Sequence, residues 1–382
     1  MVPVSYNYRN LLVRWKTTLM TASGFLLVVT ALIIMLAFVN GVQTVCTSSG
    51  QPENIIVLKQ GNFDEVLSQM DRRLVSQIEA TPGVLRNAVG RPLASRELFM
   101  VLTQWNEQSG EYHRLQARGV EPVAMEVHQQ VNVAEGRMFR RNSREVIVGI
   151  GFARSQRIAP GDTLALGQWE WDVVGVFSAA GSAFESEIWC NLGQLAGLFH
   201  REGIYSSVVL RTAGETAADH ALEYLEDNRA VAVSAQKETD YYRQQAEQMN
   251  VIRTGAIVIA IFMAVGAIFG VTNTMFAAIG ERSKDIAVMR LLGFKRSEIV
   301  LSFLMETLLL ALIGGTLGAL LGCAINGLTL NTALGAKSVA FAFKINGTIL
   351  AIAAVFTLIM GMIGGLLPAL SAMRIRPLEA MR

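Results

Sequence analysis

The composition of this 382-residue chain is that of a membrane protein. Hydrophobic residues make up 52% of it and charged residues only 17%, whereas a soluble globular chain carries about 25% charged residues. The net charge of +2 excludes the basic surplus of a nucleic-acid binder, the apolar excess excludes intrinsic disorder, and three cysteines are too few for a disulfide scaffold.

Four stretches that lack Asp, Glu, Lys and Arg are long enough to cross a bilayer. A helix needs roughly 20 apolar residues to span the hydrocarbon core, and each stretch exceeds that length. The first could instead be a secretory signal peptide, but its apolar run is longer than the roughly 7–15 residues of a signal core and no small-x-small cleavage site follows it. We therefore predict membrane helices at residues 18–41, 254–278, 303–328 and 346–367.

Basic residues indicate how these helices are oriented, because Lys and Arg in short flanking segments concentrate on the cytoplasmic side. Such residues precede the first helix, separate the second from the third and follow the fourth, whereas the short outer loop at 329–345 holds few. We therefore place both termini (1–17 and 368–382) and the segment 280–300 in the cytoplasm, and residues 43–250 outside it. The basic residues on the cytoplasmic side are Arg9, Arg14, Lys16, Arg282, Lys284, Arg290, Lys295, Arg296, Arg374, Arg376 and Arg382.

Residues 43–250 return to the composition of a soluble domain, with charges throughout and alternating apolar residues. Helix and strand patterns lie at both ends, so we predict an α+β subdomain formed by residues 50–103 and 204–240. A β-rich insertion, residues 104–203, would lie on top of it. The predicted helices are 63–80, 215–225 and 237–250, and the predicted strands are 54–58, 98–103, 146–150, 163–166, 171–177, 205–210 and 230–235.

A short charged segment directly follows the second predicted membrane helix. Ile286, Met289 and Leu292 can form one apolar edge of a helix, and Gly293 is placed to terminate it. Such a segment can lie at a membrane surface or dock in the groove of a partner. An ordinary amphipathic connector is the alternative that the sequence leaves open.

This segment and three other parts of the chain resemble one known family. The segment carries Asn-Thr-Met at 273–275, Glu-Arg at 281–282, Asp-Ile at 285–286 and Arg-Leu-Leu-Gly at 290–293, which is similar to the hallmark of FtsX-like/MacB-like ABC transporter permeases. The resemblance implies four transmembrane α-helices with a large α+β extracytoplasmic domain, of the MacB-like periplasmic type, between helices 1 and 2. The other matching parts are 306–310 with 314–318, the C-terminal run 368–382, and 133–139 with 145–149 and 160–162.

The resemblance also implies the mechanism of a non-catalytic subunit. Two permease protomers, identical or sibling, would pair, and a dimer of cytoplasmic ABC ATPase subunits would bind the loop between the second and third helices and push it. Stiff helices would then move the extracytoplasmic domain and so export a hydrophobic or envelope substrate. ATP and Mg would lie on the ATPase, a separate polypeptide, because this sequence has no G-x-x-x-x-G-K-[ST] phosphate loop. The coupling role falls on Glu281, Arg282, Asp285, Ile286, Met289, Arg290, Leu292 and Gly293.

The same resemblance leaves part of the assembly open. A periplasmic adaptor and an outer-membrane channel could complete a tripartite pump in a bacterial inner membrane. An FtsX-type regulator would instead activate a cell-wall hydrolase without transport, although the MacB-like segment at 133–139 favours the exporter. An enzyme is the third class, and no nucleophile motif of the G-x-S-x-G type supports it.

Small residues on the second and third helices repeat at a spacing of four. This spacing lets helix backbones approach closely in lipid, and both packing within the chain and a seam between protomers fit it. We expect Glu306, beside the third helix, to cap a helix or pair with a basic residue, with a proton relay as the alternative. The small residues are Gly266 and Gly270 on the second helix and Gly314, Gly318 and Gly322 on the third.

The remaining reactive or bulky side chains give weaker signals. The histidines are scattered, so we predict no metal site. Cys46 and Cys190 could form a disulfide, and their spacing in the sequence does not decide it. We expect the tryptophans of the extracytoplasmic domain to pack in its core or at its rim, with a ligand-binding cluster as the alternative. The histidines are His113, His128, His200 and His220, and the tryptophans are Trp169, Trp171 and Trp189.

Overall fold

The computed structural model describes residues 13, 15–106, 111–228, 231–334 and 337–372. They form two compact units. The helical unit takes its residues from 1–40, 250–328 and 343–382, and the α+β domain takes its residues from 41–249 and 329–342. The predictions that lie outside the described residues concern Arg9, Arg14, Ala230, Arg374, Arg376, Arg382 and the rest of the C-terminal run beyond Ala372.

The elements are as follows. The helices, in chain order, are α1 (Trp15–Thr47), α2 (Arg72–Glu79), α3 (Ala124–Val127), α4 (Ile150–Gln156), α5 (Leu192–Leu198), α6 (Glu215–Asp227), α7 (Glu238–Glu281), α8 (Ser283–Leu291), α9 (Arg296–Cys323) and α10 (Gly347–Ala372). The strands are β1 (Asn54–Lys59), β2 (Met70–Asp71), β3 (Ala94–Asn106), β4 (Glu111–Val120), β5 (Asn132–Gly136), β6 (Glu145–Gly149), β7 (Thr163–Leu166), β8 (Trp169–Ser178), β9 (Ile188–Asn191), β10 (Ile204–Tyr205), β11 (Ser207–Arg211), β12 (Val233–Lys237), β13 (Thr329–Leu334) and β14 (Lys337–Ala342). A 3₁₀ turn, Ala183–Ser186, precedes β9.

Within the described residues, four helices, α1, α7, α9 and α10, are long and apolar enough to cross a membrane. The chain is therefore a multi-pass membrane protein with the four spans that its sequence predicts, because an apolar helix of this length matches the thickness of the hydrocarbon core. Helix α7 is longer than its predicted span: it begins at Glu238, runs without a break for 44 residues and ends at Glu281. Its polar first turns belong to the α+β domain and the rest to the helical unit.

The α+β domain is built on one sheet of ten strands, in the order β12-β1-β11-β3-β4-β9-β6-β8-β5, with β7 paired to β8. The long strand β3 joins its two halves. Residues 94–97 of β3 pair with β11, and residues 98–106 pair with β4. The predicted insertion 104–203 therefore does not lie on top of the rest as a second layer. It extends the same hydrogen-bonded sheet.

The first half of the predicted helix 63–80 is wrong. Residues 60–69 form a loop, and α2 begins only at Arg72, where the carboxylate of Asp71 accepts a hydrogen bond from the backbone N–H of Leu74 at 2.8 Å. The apolar residues of the loop that suggested a helix face solvent, since Phe63 is 80% exposed and Leu67 71% exposed. The loop instead buries a polar residue, Glu65, whose carboxylate binds an arginine of the sheet.

The predicted outer loop at 329–345 is mostly a β-hairpin. Strands β13 and β14 are antiparallel, and they belong to the α+β domain. The backbone N–H of Ala340 donates to the hydroxyl of Ser186 at 2.7 Å, which attaches the hairpin to the 3₁₀ turn before β9. The connection between α9 and α10 is therefore part of the same folded body as residues 41–249.

Both faces of the sheet are buried, as the predicted packing of the tryptophans requires. Trp171 lies in the core on one face and Trp189 in the core on the other, both with no exposed surface, and Trp169 packs against the first. Cys46 and Cys190 are separate buried thiols, so the disulfide that the sequence left open is not present among the described residues.

Candidate functional site

The short helix α8 ends in a turn centred on a glycine. Leu292 is its C-cap and Gly293 follows with φ +93°. The N–H of Gly293 donates to the carbonyl of Arg290 at 3.3 Å, and the N–H of Phe294 donates to that of Met289 at 3.1 Å. These two bonds form the Schellman motif, which needs a left-handed residue at the position of Gly293. The predicted role of Gly293 as terminator is confirmed.

A buried ion pair fixes the start of α8. Arg282, between α7 and α8, donates to Glu306 of α9 through both terminal nitrogens: Nη1 to Oε2 at 2.9 Å and Nη2 to Oε1 at 3.0 Å. Arg282 is 6% and Glu306 4% exposed. The prediction that Glu306 pairs with a basic residue is confirmed. Since its guanidinium is enclosed, Arg282 can act on a partner only by holding α8 in place.

The ion pair also sets which face of α8 looks inward. Ile286 lies four residues after Arg282, on the same side of the helix, and it has no exposed surface. Met289 is half-buried on that side. Leu292 lies six residues after Ile286, which at about 100° per residue turns it roughly 120° away, and it is 72% exposed. The predicted apolar edge therefore runs from a buried Ile286 to an exposed Leu292, and it does not form one exposed surface.

The exposed face of α8 carries a different apolar set. Val288 is 48% exposed, Leu291 63% and Leu292 72%. We call these three residues the outward patch. Sequence reasoning missed Val288 and Leu291, although the helical period counted from a buried Arg282 would have found them. Of the other predicted coupling residues, Glu281 is exposed and Arg290 half-buried, while Asp285 lies in α8 with its side chain outside the described residues.

Three helices meet where α8 begins. The hydroxyl of Thr21, on α1, donates to that of Thr274, on α7, at 3.2 Å. Both threonines line a small cavity of about 20 Å³ that also touches Arg282 and Glu306. The Asn-Thr-Met and Glu-Arg motifs of the sequence therefore contribute to one contact region between α1, α7 and α9.

The glycines of α9 pack within the chain. A Cβ atom built on Gly314 would collide with the carbonyl oxygen of Ala22, and one on Gly318 would lie 2.7 Å from that of Leu26. The hydroxyl of Thr30 donates to the carbonyl of Gly318 at 3.1 Å. Gly322 meets Ile33 in the same way, with 2.7 Å to its Cγ2. Of the two readings that the sequence allowed, this row serves close packing of α9 on α1.

The glycines of α7 are different. A Cβ atom on Gly266 or on Gly270 would have no atom within 4 Å among the described residues. Large apolar side chains near them are also uncovered, with Phe262 72% exposed and Phe269 70% exposed. This part of α7 is therefore an open surface of the helical unit.

Two known protein-family profiles match the sequence, and together they cover most of both structural units. The profile of the MacB-like periplasmic core domain matches residues 18–228, more than half of the chain, and that of the FtsX-like permease C-terminal domain matches residues 257–377. The chain belongs to the MacB-like/FtsX-like family of ABC transporter permeases. Members of such permease families are generally not catalytic, the ATPase being on a partner.

Curated relatives of this MacB-like permease include longer proteins. The macrolide export ATP-binding/permease protein MacB of Bdellovibrio bacteriovorus is 24% identical over 393 residues, which cover 94% of this chain and 58% of the relative. The uncharacterized ABC transporter permease MJ1507 of Methanocaldococcus jannaschii is 27% identical over 66% of this chain and 65% of its own length. The MacB protein of Bordetella avium is 35% identical over 37% of this chain and 21% of its length. The chain thus spans less than two thirds of each of these relatives.

Two solved structures align with the MacB-like permease. The extracellular domain of the noncanonic ABC-type transporter YknZ from Gram-positive bacteria is 19% identical, with a TM-score of 0.35 over 48% of this chain and 100% of that chain. The periplasmic region of MacB from Actinobacillus actinomycetemcomitans is 11% identical, with a TM-score of 0.39 over 52% of this chain and 94% of that chain.

Proposed function

We propose that this chain is the permease subunit of an ABC transporter of the mechanotransmission type. In this proposal an ATPase subunit binds α8, and nucleotide-driven closure of the ATPase moves the α+β domain, which exports a hydrophobic or envelope-located substrate. The observation that carries the proposal is the outward patch of α8, three exposed apolar side chains on a helix whose opposite face is locked by a buried ion pair. ATP and Mg are bound by the ATPase and not by this permease.

The helices that flank α8 are suited to transmit a displacement. Helix α7 is continuous from the α+β domain to the start of α8, a length of about 66 Å at 1.5 Å per residue for its 44 residues. The pair of Arg282 with Glu306 links the end of α7 to α9. A push on α8 would therefore reach both helices, and through the hairpin after α9 it would reach the α+β domain by a second route.

The ATPase is proposed to be a partner because permease families of ABC transporters are generally not catalytic. Curated relatives named as ATP-binding/permease proteins are longer than this chain. The membrane is proposed to be a bacterial inner membrane. Helix α8 and both termini are placed on its cytoplasmic side because the basic residues concentrate in these segments.

A second permease protomer, of the same or a sibling sequence, is proposed to cover the open surface of α7 around Gly266 and Gly270. Small residues at this spacing allow close approach of helices in lipid, and the equivalent row on α9 is already occupied by α1. A periplasmic adaptor and an outer-membrane channel are proposed as the further partners of the α+β domain, to be tested by pull-down with the full-length permease. The FtsX-type regulator is not favoured, since the profile of the MacB-like periplasmic core domain matches 18–228.

The outward patch gives the test. The permease is co-expressed with the ABC ATPase proposed as its partner, and the amount of ATPase recovered with the purified permease is measured. Leu291→Glu places a charge in the centre of the patch and should reduce recovery of the ATPase at least tenfold, since an interface hot spot contributes about 2–4 kcal/mol and about 1.4 kcal/mol corresponds to a factor of ten. Val89→Glu is the matched control, because Val89 is 80% exposed but lies in the α+β domain. Equal recovery with Leu291→Glu and with the wild type would refute docking at α8.

A further inference from the structure

A cluster of charged side chains lies in the core of the α+β domain. Arg118, on β4, is 1% exposed and binds three carboxylates that are equally enclosed, those of Glu65, Glu97 and Glu187. Its Nη1 is 2.7 Å from Glu65 Oε1 and its Nε is 2.7 Å from Glu187 Oε2. Five donor–acceptor contacts use all the N–H groups of the guanidinium. One buried cation thus faces three carboxylates.

His128 is the only other side chain of this cluster that can supply a positive charge among the described residues. Its ring has no exposed surface, and its Nε2 is 2.7 Å from Glu97 Oε1. The rings of Phe184 and Trp189 enclose it, with centroids at 5.0 and 5.6 Å. Uncompensated charge is costly in such a place. Burial would lower the pKa of His128, but the charge and hydrogen bond of Glu97 outweigh it and raise that pKa above its ordinary value.

The cluster reaches the point where the chain enters and leaves the α+β domain. Glu238 is the first residue of α7 and is 1% exposed. Its Oε2 accepts from the Asn54 side chain at 2.9 Å and from the backbone N–H of Gln51, in the connection from α1 to β1, at 3.1 Å. The backbones are close here as well, because a Cβ atom on Gly50 would lie 2.6 Å from Thr239 Cα.

One ring nitrogen of His128 faces this carboxylate. His128 Nδ1 is 3.7 Å from Glu238 Oε1 and has no hydrogen-bond partner among the described residues. We propose that His128 and Glu238 form a buried proton-binding site that, when it holds its proton, fastens the first turn of α7 to the α1–β1 connection. With the proton bound, the imidazolium attracts Glu97 on one side and Glu238 on the other. A shift of roughly 1 Å would bring Nδ1–H into the ordinary range for a charge-assisted hydrogen bond.

Release of the proton to solvent reverses these forces. A neutral His128 leaves the carboxylates of Glu97 and Glu238 on either side of an uncharged ring, where they repel each other through a medium of low dielectric constant. Of the two carboxylates, that of Glu238 can move away, because Glu238 is the first residue of a helix, whereas Glu97 is held by Arg118 within the sheet. The inference concerns the α+β domain alone and does not depend on the proposed transport function.

The direction of the pH effect follows from every charged group around the ring. Burial raises the pKa of Glu238, and the pKa of His128 is raised as well, so the folded domain takes up protons and this attachment weakens as pH rises through those raised values. The pKa of Glu97 is lowered, and its opposite contribution begins only below the ordinary value of 4.5. Arg118 stays charged throughout. The charged groups that act on His128 are Glu97, Glu238 and Arg118. Glu65 and Glu187 lie beyond Arg118, the charge of Glu238 also acts on Tyr242, and Arg211 donates to the carbonyl of the neighbouring Val127.

Hydrogen–deuterium exchange of the full-length protein in lipid nanodiscs tests the site. Exchange is followed by mass spectrometry for peptides covering 238–247 between pH 5.5 and 8.5, with correction for the intrinsic rate. In the wild type the opening constant of this turn should rise with pH, by up to about tenfold per pH unit for one proton. His128→Gln removes the group that takes up the proton, and Glu238→Gln removes the carboxylate that the protonated ring attracts, although His128 still titrates against Glu97. Both replacements keep a hydrogen-bonding group, and in both the opening constant should not change with pH.

His220→Gln is the matched control, since His220 is a surface histidine with a side chain 80% exposed. It should keep the wild-type pH dependence. Protection of β3 and β11 peptides reports whether each variant is folded, and if His128→Gln is not, Glu238→Gln alone decides. The same pH dependence in a folded variant and in the wild type, or no pH dependence in the wild type, would overturn the proposal.

Discussion

Replacement of Glu306 should test how firmly α8 is held. Glu306→Ala would leave Arg282 buried without its two hydrogen bonds of 2.9 and 3.0 Å, in a place where the two side chains are 7% and 6% exposed. Removing one partner of a buried ion pair costs about 3–5 kcal/mol, whereas replacing both by apolar residues costs much less. We therefore expect Glu306→Ala to lower the free energy of unfolding by about 3–5 kcal/mol, and Arg282→Met with Glu306→Leu to restore most of it.

The assay is a double-mutant cycle on the full-length protein, unfolded reversibly by SDS in mixed micelles. For the cycle of Arg282→Met and Glu306→Leu, the coupling energy between the two positions should be at least about 3 kcal/mol, at or above the upper end of the values for contacting residues. Lys284→Ala, an exposed residue of the same segment, is the control and should change stability by less than about 0.5 kcal/mol. Additive effects of the two single replacements would contradict the claim that this ion pair fixes the start of α8.

Further replacements test packing and topology. Gly318→Val should destabilise the protein by about 1–3 kcal/mol because its side chain would meet the α1 backbone; Gly270→Val should leave thermal stability of the monomer unchanged and reduce cross-linking between protomers, and equal effects on stability would contradict the assignment of the two rows. Gly50→Ala should lower the free energy of unfolding by about 1–3 kcal/mol, because its Cβ would meet the first turn of α7. An unchanged melting temperature would contradict this close approach. In intact spheroplasts an impermeant thiol reagent should label Val89→Cys but not Lys284→Cys, and labelling of both would contradict the proposed orientation.

The sequence predicts the membrane helices well because a long apolar run has only one way to satisfy its backbone in lipid. It also predicts the end of α8, since a glycine after a helical period is the usual partner of a left-handed turn. The family resemblance adds the domain between the first two helices. These features depend on local composition or on motifs, and neither requires knowledge of distant contacts.

The features that the sequence does not predict depend on contacts between distant residues. In the loop at 60–69, Phe63 and Leu67 have helical spacing, but the burial of Glu65 against Arg118 on β4 decides the local structure. The face of α8 likewise depends on Glu306, which lies 24 residues after Arg282. His128 looks isolated in the sequence because its partners, Glu97 and Glu238, come from other elements.

The central claim is that a push at α8 moves the α+β domain. The most direct measurement is the distance between spin labels at Val89→Cys of the two protomers, by pulsed electron resonance, in the complex with its ATPase with and without a trapped nucleotide. We predict that the distance distribution changes with nucleotide in the wild type. It should not change when the Leu291→Glu permease is mixed with the same ATPase, because the two no longer bind, although the ATPase itself still hydrolyses ATP. A distance distribution that does not change with nucleotide in the wild type, or one that still changes in Leu291→Glu, would contradict the account.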